Sequence, residues 1–391
     1  MSKFIPYGRQ EILDDDISAV VDVLKSPLIT QGNIVPEFES RISSIVQSRF
    51  AVAVNSATSA LHLSCLALGL SKDDVLWTSA ISFVASANCG LYCGATVDFV
   101  DIDPLTGLLC IDSLRNKLIH ASLNNCIPKI LVVVHLAGTS CDMRSIRELS
   151  CQYGFFVIED ASHALGGSYF QYPVGSCKFS DITVFSFHPV KIITSVEGGM
   201  ALTNSSSLYR TIHDLRNHGI SKDPELFVCP SPPPWHYEQH SLGFNYRLSD
   251  VHAALGLSQL SRLSDIVSKR NDIINFYKSS LAQLPLRLLV SPASIQSSYH
   301  LAIVTLDYSL IPSHLSIFKQ LRECGIGVQL HYSPIHLQPF YRNLGFKVND
   351  FPFAELYARS SFSLPIYPSL SESDLSYIVE TLAGVLNCSS S

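Results

Sequence analysis

Lys191 stands in VFSFHPVKIITSVEGGM, a stretch whose other basic side chain is His188. A lysine isolated in apolar surroundings favours its neutral amine, the nucleophilic form that a Schiff base requires. Thirty-one residues earlier, Asp160 closes the apolar run FFVIED and opens DASHALGG. In an open α/β sheet the carboxyl ends of strands face the ligand crevice, so an acid there can meet a cofactor. An acid on one strand and a lysine on a later loop suit pyridoxal phosphate (PLP). The carboxylate keeps the pyridine nitrogen protonated, and the amine takes the aldehyde carbon. On these two residues alone, a strand-end aspartate and a surface lysine are the better explanation.

Two further segments bear on that choice. NSATSALH, from Asn55 to His62, reads as strand, turn and helix. It aims backbone N–H groups and the hydroxyls of Thr58 and Ser59 at one spot, which is an anion site or an ordinary helix cap. ISFVASAN puts Phe83 just beyond the apolar run that ends at Thr78. An aromatic there can cover a flat ring, or simply belong to the core.

The elements that must position these residues alternate through the first half of the chain. Five short apolar runs read as buried strands: Phe50 to Asn55, Asp74 to Thr78, Thr96 to Ile102, Ile130 to Leu136 and Phe155 to Asp160. Helix-length segments separate them, which favours a mostly parallel sheet covered on both faces. Asp14 precedes Ile17, Val20, Val21 and Leu24, a helical stripe expected to face inward. A second helix is expected from Pro36, with Phe38, Ile42, Ile45 and Val46 inward. PSPPPW can be neither helix nor central strand, so Pro230 to Trp235 forms an irregular loop. Ser249 then caps a long helix that leads into a smaller C-terminal domain, and the NCSSS end is expected to fray.

Composition narrows the class. The 391 residues are 47% apolar and only 15% charged, against roughly 25% charged in ordinary soluble domains, so a disordered chain is excluded. The net charge of −6 comes with no basic run, which argues against nucleic acid and anionic membrane surfaces as partners. No stretch approaches the ~20 apolar residues that span a bilayer, and the start lacks an apolar signal core. The eleven cysteines contain no C-x-x-C pair, so neither a disulfide framework nor a metal site is expected. A cytoplasmic enzyme fits this profile.

Taken in order, the motifs resemble the DegT/DnrJ/EryC1/StrS family of PLP-dependent nucleotide-sugar aminotransferases. They begin at YGRQEILDDDISAVVDVLKSPLITQG and pass through NSATSALH, TSAISFVASAN, DFVDIDPLTG, VVVHLAGTSCDM, IEDASHALGG, SFHPVK and EGGMALTN. They continue with LGFNYRLSDVHAALGLSQL, GIGVQLHYSPIHLQPFY and SLPIYPSL, so nearly the whole chain is covered. The resemblance implies an α/β fold of the aspartate-aminotransferase type. A large PLP-binding domain would span 1–250 and a linker helix with a small C-terminal domain 251–391.

Site roles follow from the same resemblance. Lys191 would carry the Schiff base, and Asp160 would pair with the ring nitrogen. His163 matches the contact to the cofactor's phenolic oxygen, and Phe83 the aromatic that stacks on the ring. Thr58, Ser59 and Ser186 match phosphate positions. Asn245 matches an asparagine supplied by the partner subunit, which implies a homodimer with shared sites. Thr30, Gln31, Arg247, His331, Tyr332 and His336 fall in segments that the family places about the substrate. L-Glutamate is the implied donor. Within the family the motifs look most like enzymes that aminate C4 of a UDP-4-keto-6-deoxy-N-acetylhexosamine for pseudaminic acid synthesis. Perosamine-, bacillosamine- and aminoarabinose-type enzymes share most of them. Related dehydratases carry histidine in place of Lys191, and a non-catalytic sensor would be expected to lose Lys191 or Asp160; both are present.

Overall fold

The structure is a computed structural model and describes residues 4–292 and 294–389. Its central sheet has seven strands: β1 (Phe50–Val54), β2 (Val75–Ser79), β3 (Thr96–Val100), β4 (Ile130–Val134), β5 (Phe156–Asp160), β6 (Ile182–Ser186) and β7 (Gly199–Thr203). Their spatial order is β1-β7-β6-β5-β4-β2-β3. The five strands from β6 to β3 are parallel, while β7 runs antiparallel to both β6 and β1. The interior strands are apolar on both faces because helices cover both, as Ile130 to Val134 shows by being buried throughout. All five expected strand runs are present.

Helices α1 (Asp14–Leu24), α2 (Ile34–Val46), α3 (Ala57–Ala67) and α4 (Ala85–Tyr92) precede or join the first strands. The reading of α1 needs correction. Ile17 and Leu24 are exposed, and the fully buried side chain is Asp16. Arg262 Nη2 approaches Asp16 Oδ2 to 2.6 Å, Ser258 Oγ donates to Oδ1 at 2.7 Å, and Gln259 Nε2 donates to Oδ2 at 3.2 Å. A buried carboxylate so paired outweighs the apolar stripe in orienting the helix. In α2, Phe38, Ile42 and Val46 face inward as expected, and Ile45 is exposed.

Ser249 does cap the helix Asp250–Leu260, accepting from His252 N–H, but that helix breaks before Leu263–Ser280 begins. Beyond it lies a second core. Strands Leu286–Leu288, Ala302–Leu306 and Ser361–Leu364 form an antiparallel sheet. Helices Leu263–Ser280, His314–Glu323 and Glu372–Ser389 pack their apolar residues into this core. Ile5 joins the same core, bridging to Ile326, so the chain's beginning is strapped to its later half. The last helix is described to Ser389, and the final two residues of the NCSSS end lie outside the described residues. No helix among the described residues is long and apolar enough to cross a membrane.

Candidate active site

The parallel strands converge on a cleft of about 300 Å³ at their carboxyl ends. Ser82 and Phe83 follow β2, Asp160, Ser162 and His163 end or follow β5, and Ser186 to Lys191 end or follow β6. This is the crevice that parallel topology opens where the strands stop. Tyr7, His331 and Tyr332 close it from the strap and from the later half of the chain.

One wall is the start of α3. Ser56 is its cap, with an extended backbone and a side chain that accepts from Ser59 N–H at 3.1 Å. The Ser59 hydroxyl donates inward to Asn55 Oδ1 at 2.6 Å, so Ser59 serves the turn while Thr58 lines the cleft. The first N–H groups of a helix have no acceptor within it, which leaves those of Ala57 and Thr58 for a ligand. Gly199 lies directly against this turn. A Cβ there would sit 2.4 Å from the Ala57 nitrogen, so only glycine lets β7 approach so closely.

Asp160 is buried and held from both sides. Ser86 Oγ donates to Oδ2 at 2.6 Å, and Ser162 donates to Oδ1 through its hydroxyl at 2.5 Å and its N–H at 3.2 Å. Because Ser86 gives its proton to Asp160, it accepts from Ser82 Oγ at 2.7 Å. On the opposite face of β5, Glu159 Oε2 meets His135 Nε2 at 2.7 Å, and its Oε1 accepts from Ser180 and Thr183. Burial opposes a charge on His135, yet its bonds to Cys141 and Glu159 push it up to about 10. This buried pair ties the end of β4 to β5 beneath the cleft.

Lys191 follows β6 in a turn closed by its N–H to His188 O at 2.9 Å. Burial pulls its ammonium down to about 8, with Asp160 opposing. His163 accepts the Ala137 N–H at Nδ1 (3.3 Å), so its proton sits on Nε2 and is donated to Tyr332 Oη at 3.1 Å. Burial, and after it the neighbouring Lys191, push its pKa well down. His331 is pushed down to about 3 by burial and by Lys191, and its Nδ1 pairs with Ser363 Oγ at 2.8 Å. Burial raises the Tyr332 phenol, reinforced by Asp160 and Tyr7. Phe83 presents its ring at the mouth, 6.1 Å from that of Tyr332.

Of the residues singled out in the sequence, Thr58, Phe83, Asp160, His163, Ser186, Lys191, His331 and Tyr332 line one cleft, with His188 beside them. The others do not. His336 is buried with Nε2 against Glu355 Oε1 at 3.1 Å, five residues from His331 yet turned into a different part of the core. Thr30 and Gln31 are exposed, on a segment fastened by Gly32 N–H to Asp250 Oδ2 at 2.6 Å. Arg247 donates to Asn217 Oδ1 at 2.6 Å, and Asn245 is exposed beside Asn217. Missed in the sequence were Tyr7, Ser82, Ser86, Ser162 and Glu197. All fall inside motifs already noticed, but nothing local separates a serine that holds a carboxylate from one that caps a turn.

The profile of the DegT/DnrJ/EryC1/StrS aminotransferase family matches residues 10–383. The chain belongs to that family. Among relatives of this DegT-family protein, the spore coat polysaccharide biosynthesis protein SpsC of Bacillus subtilis is 35% identical over 389 residues, covering 98% of this chain and 97% of the relative. The UDP-4-amino-4,6-dideoxy-N-acetyl-beta-L-altrosamine transaminase of Campylobacter jejuni is 35% identical over 383 residues, again 98% and 97%. Among solved structures, Helicobacter pylori PseC, an aminotransferase involved in the biosynthesis of pseudoaminic acid, superposes with a TM-score of 0.89 at 30% identity, covering 99% of this chain and 100% of that one. A Streptococcus pneumoniae protein described as a sugar aminotransferase, in its pyridoxamine phosphate form, gives 0.89 at 29% identity with 98% and 100% covered.

The DegT-family assignment makes this a transaminase whose cofactor is PLP. The cleft suits that group. It offers a helix start with free N–H groups that a Cβ on Gly199 would push aside, a buried carboxylate, and a lysine whose amine is readily neutral. Among the described residues no cluster of three or more His, Cys, Asp or Glu side chains is arranged to hold a metal ion.

Proposed function

We propose that the protein transfers an amino group from L-glutamate to C4 of a UDP-4-keto-6-deoxy-N-acetylhexosamine. The observation that carries the chemistry is the meeting of Lys191 and Asp160 in one cleft beneath an anion-binding helix start. The choice of sugar is supported by the 35% identity to the Campylobacter transaminase over nearly both chains.

PLP, when bound, supplies an aldehyde carbon and an electron-withdrawing ring on which an amino group can be stored and passed on. The residues of the chain do the rest. Ala57 and Thr58 N–H groups, with the hydroxyls of Thr58 and Ser186, would hold the phosphate. Asp160, its oxygens held in place by the hydroxyls of Ser86 and Ser162, would keep a proton on the ring nitrogen. Lys191 Nζ, neutral for about half of the molecules near pH 8, takes the proton from the donor's α-carbon as general base. It returns that proton as general acid, and does the same in reverse with the sugar. His163, whose Nε2 meets Tyr332 Oη, would lie on the side of the ring's phenolic oxygen, and Phe83 would cover the ring. His331 and Tyr332 shape the substrate side, and Tyr7 narrows it.

Thr30, Gln31, Asn245 and Arg247 are exposed or lie off the cleft of their own chain. This supports a homodimer in which Asn245 reaches the neighbour's phosphate site. The division of labour near residue 250 fits the same reading, with the cofactor held by 1–250 and the cleft closed by His331 and Tyr332 of 251–391 together with Tyr7. A coupled assay of the purified enzyme, with L-glutamate and a panel of UDP- and dTDP-linked 4-keto sugars, tests the proposal. Highest kcat/KM with the UDP-4-keto-6-deoxy-N-acetylhexosamine supports it. Preference for another nucleotide sugar would transfer the reading to a different polysaccharide precursor, for which the equal identity to SpsC supplies the precedent.

A further inference from the structure

The strap that carries Tyr7 to the cleft is fastened on both sides of that residue. Ile5 N–H donates to Gly325 O at 2.8 Å, and Gly327 N–H donates to Ile5 O at 2.7 Å. Tyr7 O accepts from Ile366 N–H at 2.9 Å, and the Tyr7 ring lies 4.9 Å from that of His331. Further on, the Arg9 guanidinium sits 5.7 Å from the centre of the Tyr367 ring, and Glu11 O accepts from Gln259 Nε2 at 2.7 Å. A segment held at Ile5, Tyr7, Arg9 and Glu11 cannot drift from the cleft mouth. The gap beneath it has a set width.

Gly8 stands in the middle of this run. Glycine loses more conformational freedom on folding than any other residue, so its presence asks for a reason. The chain itself supplies none. The φ of Gly8 lies outside the left-handed region, and the nearest atom to an added Cβ, beyond the chain neighbours, would be Val190 Cβ at an ordinary 4.0 Å. Gly199 differs, because the first turn of α3 leaves it no room for a side chain. A glycine that neither the backbone nor the packing requires marks the close approach of a group from outside the chain. The missing Cβ points at Val190, which lines the cleft directly before Lys191. Tyr7, on the other side of Gly8, lines the same cleft. The opening between strap and Val190 is therefore part of its rim.

The cleft offers about 300 Å³, the low end for ligand pockets, and the cofactor takes up part of it. An amino-acid donor fits in what remains. A nucleotide sugar must leave its diphosphate and nucleoside lying across the rim. We propose that Gly8 is a specificity-determining residue, whose missing side chain keeps the passage between strap and Val190 open for that tail of the acceptor. The inference rests on a nucleotide-sugar acceptor, as read above, but not on which sugar it carries. The donor reaches Lys191 without filling the passage, so position 8 separates the two substrates. A side chain there would narrow the passage over Val190, and the fastened strap could not yield to it.

The test compares the two half-reactions in holoenzyme carrying Gly8→Ala or Gly8→Val. L-Glutamate added without acceptor bleaches the absorbance of bound PLP, and a 4-keto nucleotide sugar added afterwards restores it. Stopped-flow spectroscopy reads each step separately. Whichever sugar of the panel the wild type turns over serves as acceptor, so a different sugar corrects the earlier reading and leaves this test intact. In Gly8→Val the second-order rate constant of the acceptor step should fall roughly ten- to two-hundredfold, the range for a methylene misfit in a pocket, with the donor step within about twofold of wild type. Gly8→Ala should fall between, with a urea midpoint at or above that of the wild type, because alanine restricts the unfolded chain. Adding Val190→Ala to Gly8→Val should recover part of the acceptor step. Equal losses in both steps, or an acceptor step unchanged in Gly8→Val, overturn the proposal. So does a change of oligomeric state in size-exclusion chromatography, which would mean that Gly8 makes room for a second copy of the chain.

Discussion

The acidity of Lys191 can be read directly in enzyme stripped of its cofactor. An ordinary lysine, with a pKa near 10.4, has about one amine in a thousand neutral at pH 7.5. Burial brings Lys191 to about 8, so about a quarter of its amines are neutral at the same pH, a gain of roughly two-hundredfold. The sign follows from which form suffers. Removal from water penalises the ammonium, so the proton leaves at lower pH, while the negative Asp160 retains it. Asp160→Asn should therefore move the midpoint further down, below about 8, although the variant loses orders of magnitude in turnover. The assay is competitive labelling of amines across pH 6–11, with Lys191 quantified by mass spectrometry against the exposed Lys72. A Lys191 midpoint near 10.5, or one that rises in Asp160→Asn, would refute burial as the cause and Asp160 as the opposing charge.

Gly199→Ala places a Cβ 2.4 Å from the Ala57 nitrogen. It should cost about 1–3 kcal/mol of stability in urea unfolding and weaken PLP binding in equilibrium dialysis by displacing the first turn of α3. Tyr332→Phe removes the acceptor of the His163 Nε2 proton. A net hydrogen bond of about 0.5–1.5 kcal/mol predicts a loss of kcat/KM between about two- and twelvefold, with the secondary structure seen by circular dichroism unchanged. Arg262→Ala leaves the fully buried Asp16 without its cation and should cost about 3 kcal/mol, read as a lower urea midpoint. Adding Asp16→Asn to that variant should recover part of the loss, because the uncompensated charge is removed.

The strands and the strand-end side chains were legible because a parallel sheet leaves strong local marks. Short apolar runs separated by helix-length segments place Asp160 and Lys191 at adjacent carboxyl ends without knowledge of any long-range contact. What stayed hidden depends on partners far along the chain. Periodicity showed that α1 has an apolar stripe. It could not show that Arg262, Ser258 and Gln259, some 240 residues away, would claim Asp16 and turn Ile17 and Leu24 outward. His331 and His336 looked alike in HYSPIHLQPFY, and only Glu355, brought alongside by the fold, draws His336 away from the cleft. Tyr7 carried no mark of its own. It reaches the cleft because Ile5 is strapped to the second core.

That strap has a consequence for how the enzyme is made. Ile5 exchanges backbone hydrogen bonds with Gly325 and Gly327, and Tyr7 O accepts from Ile366 N–H at 2.9 Å. Ile5 and Tyr7 must therefore wait for partners translated more than 300 positions later. At roughly 5–20 residues per second the delay is on the order of 15–60 s. Throughout that interval the seven-stranded sheet can assemble while the cleft still lacks Tyr7, His331 and Tyr332. The nascent chain can thus hold a nearly complete cofactor floor long before its roof exists. A substitution at Ile5 or Tyr7 would act on the last step of assembly rather than the first.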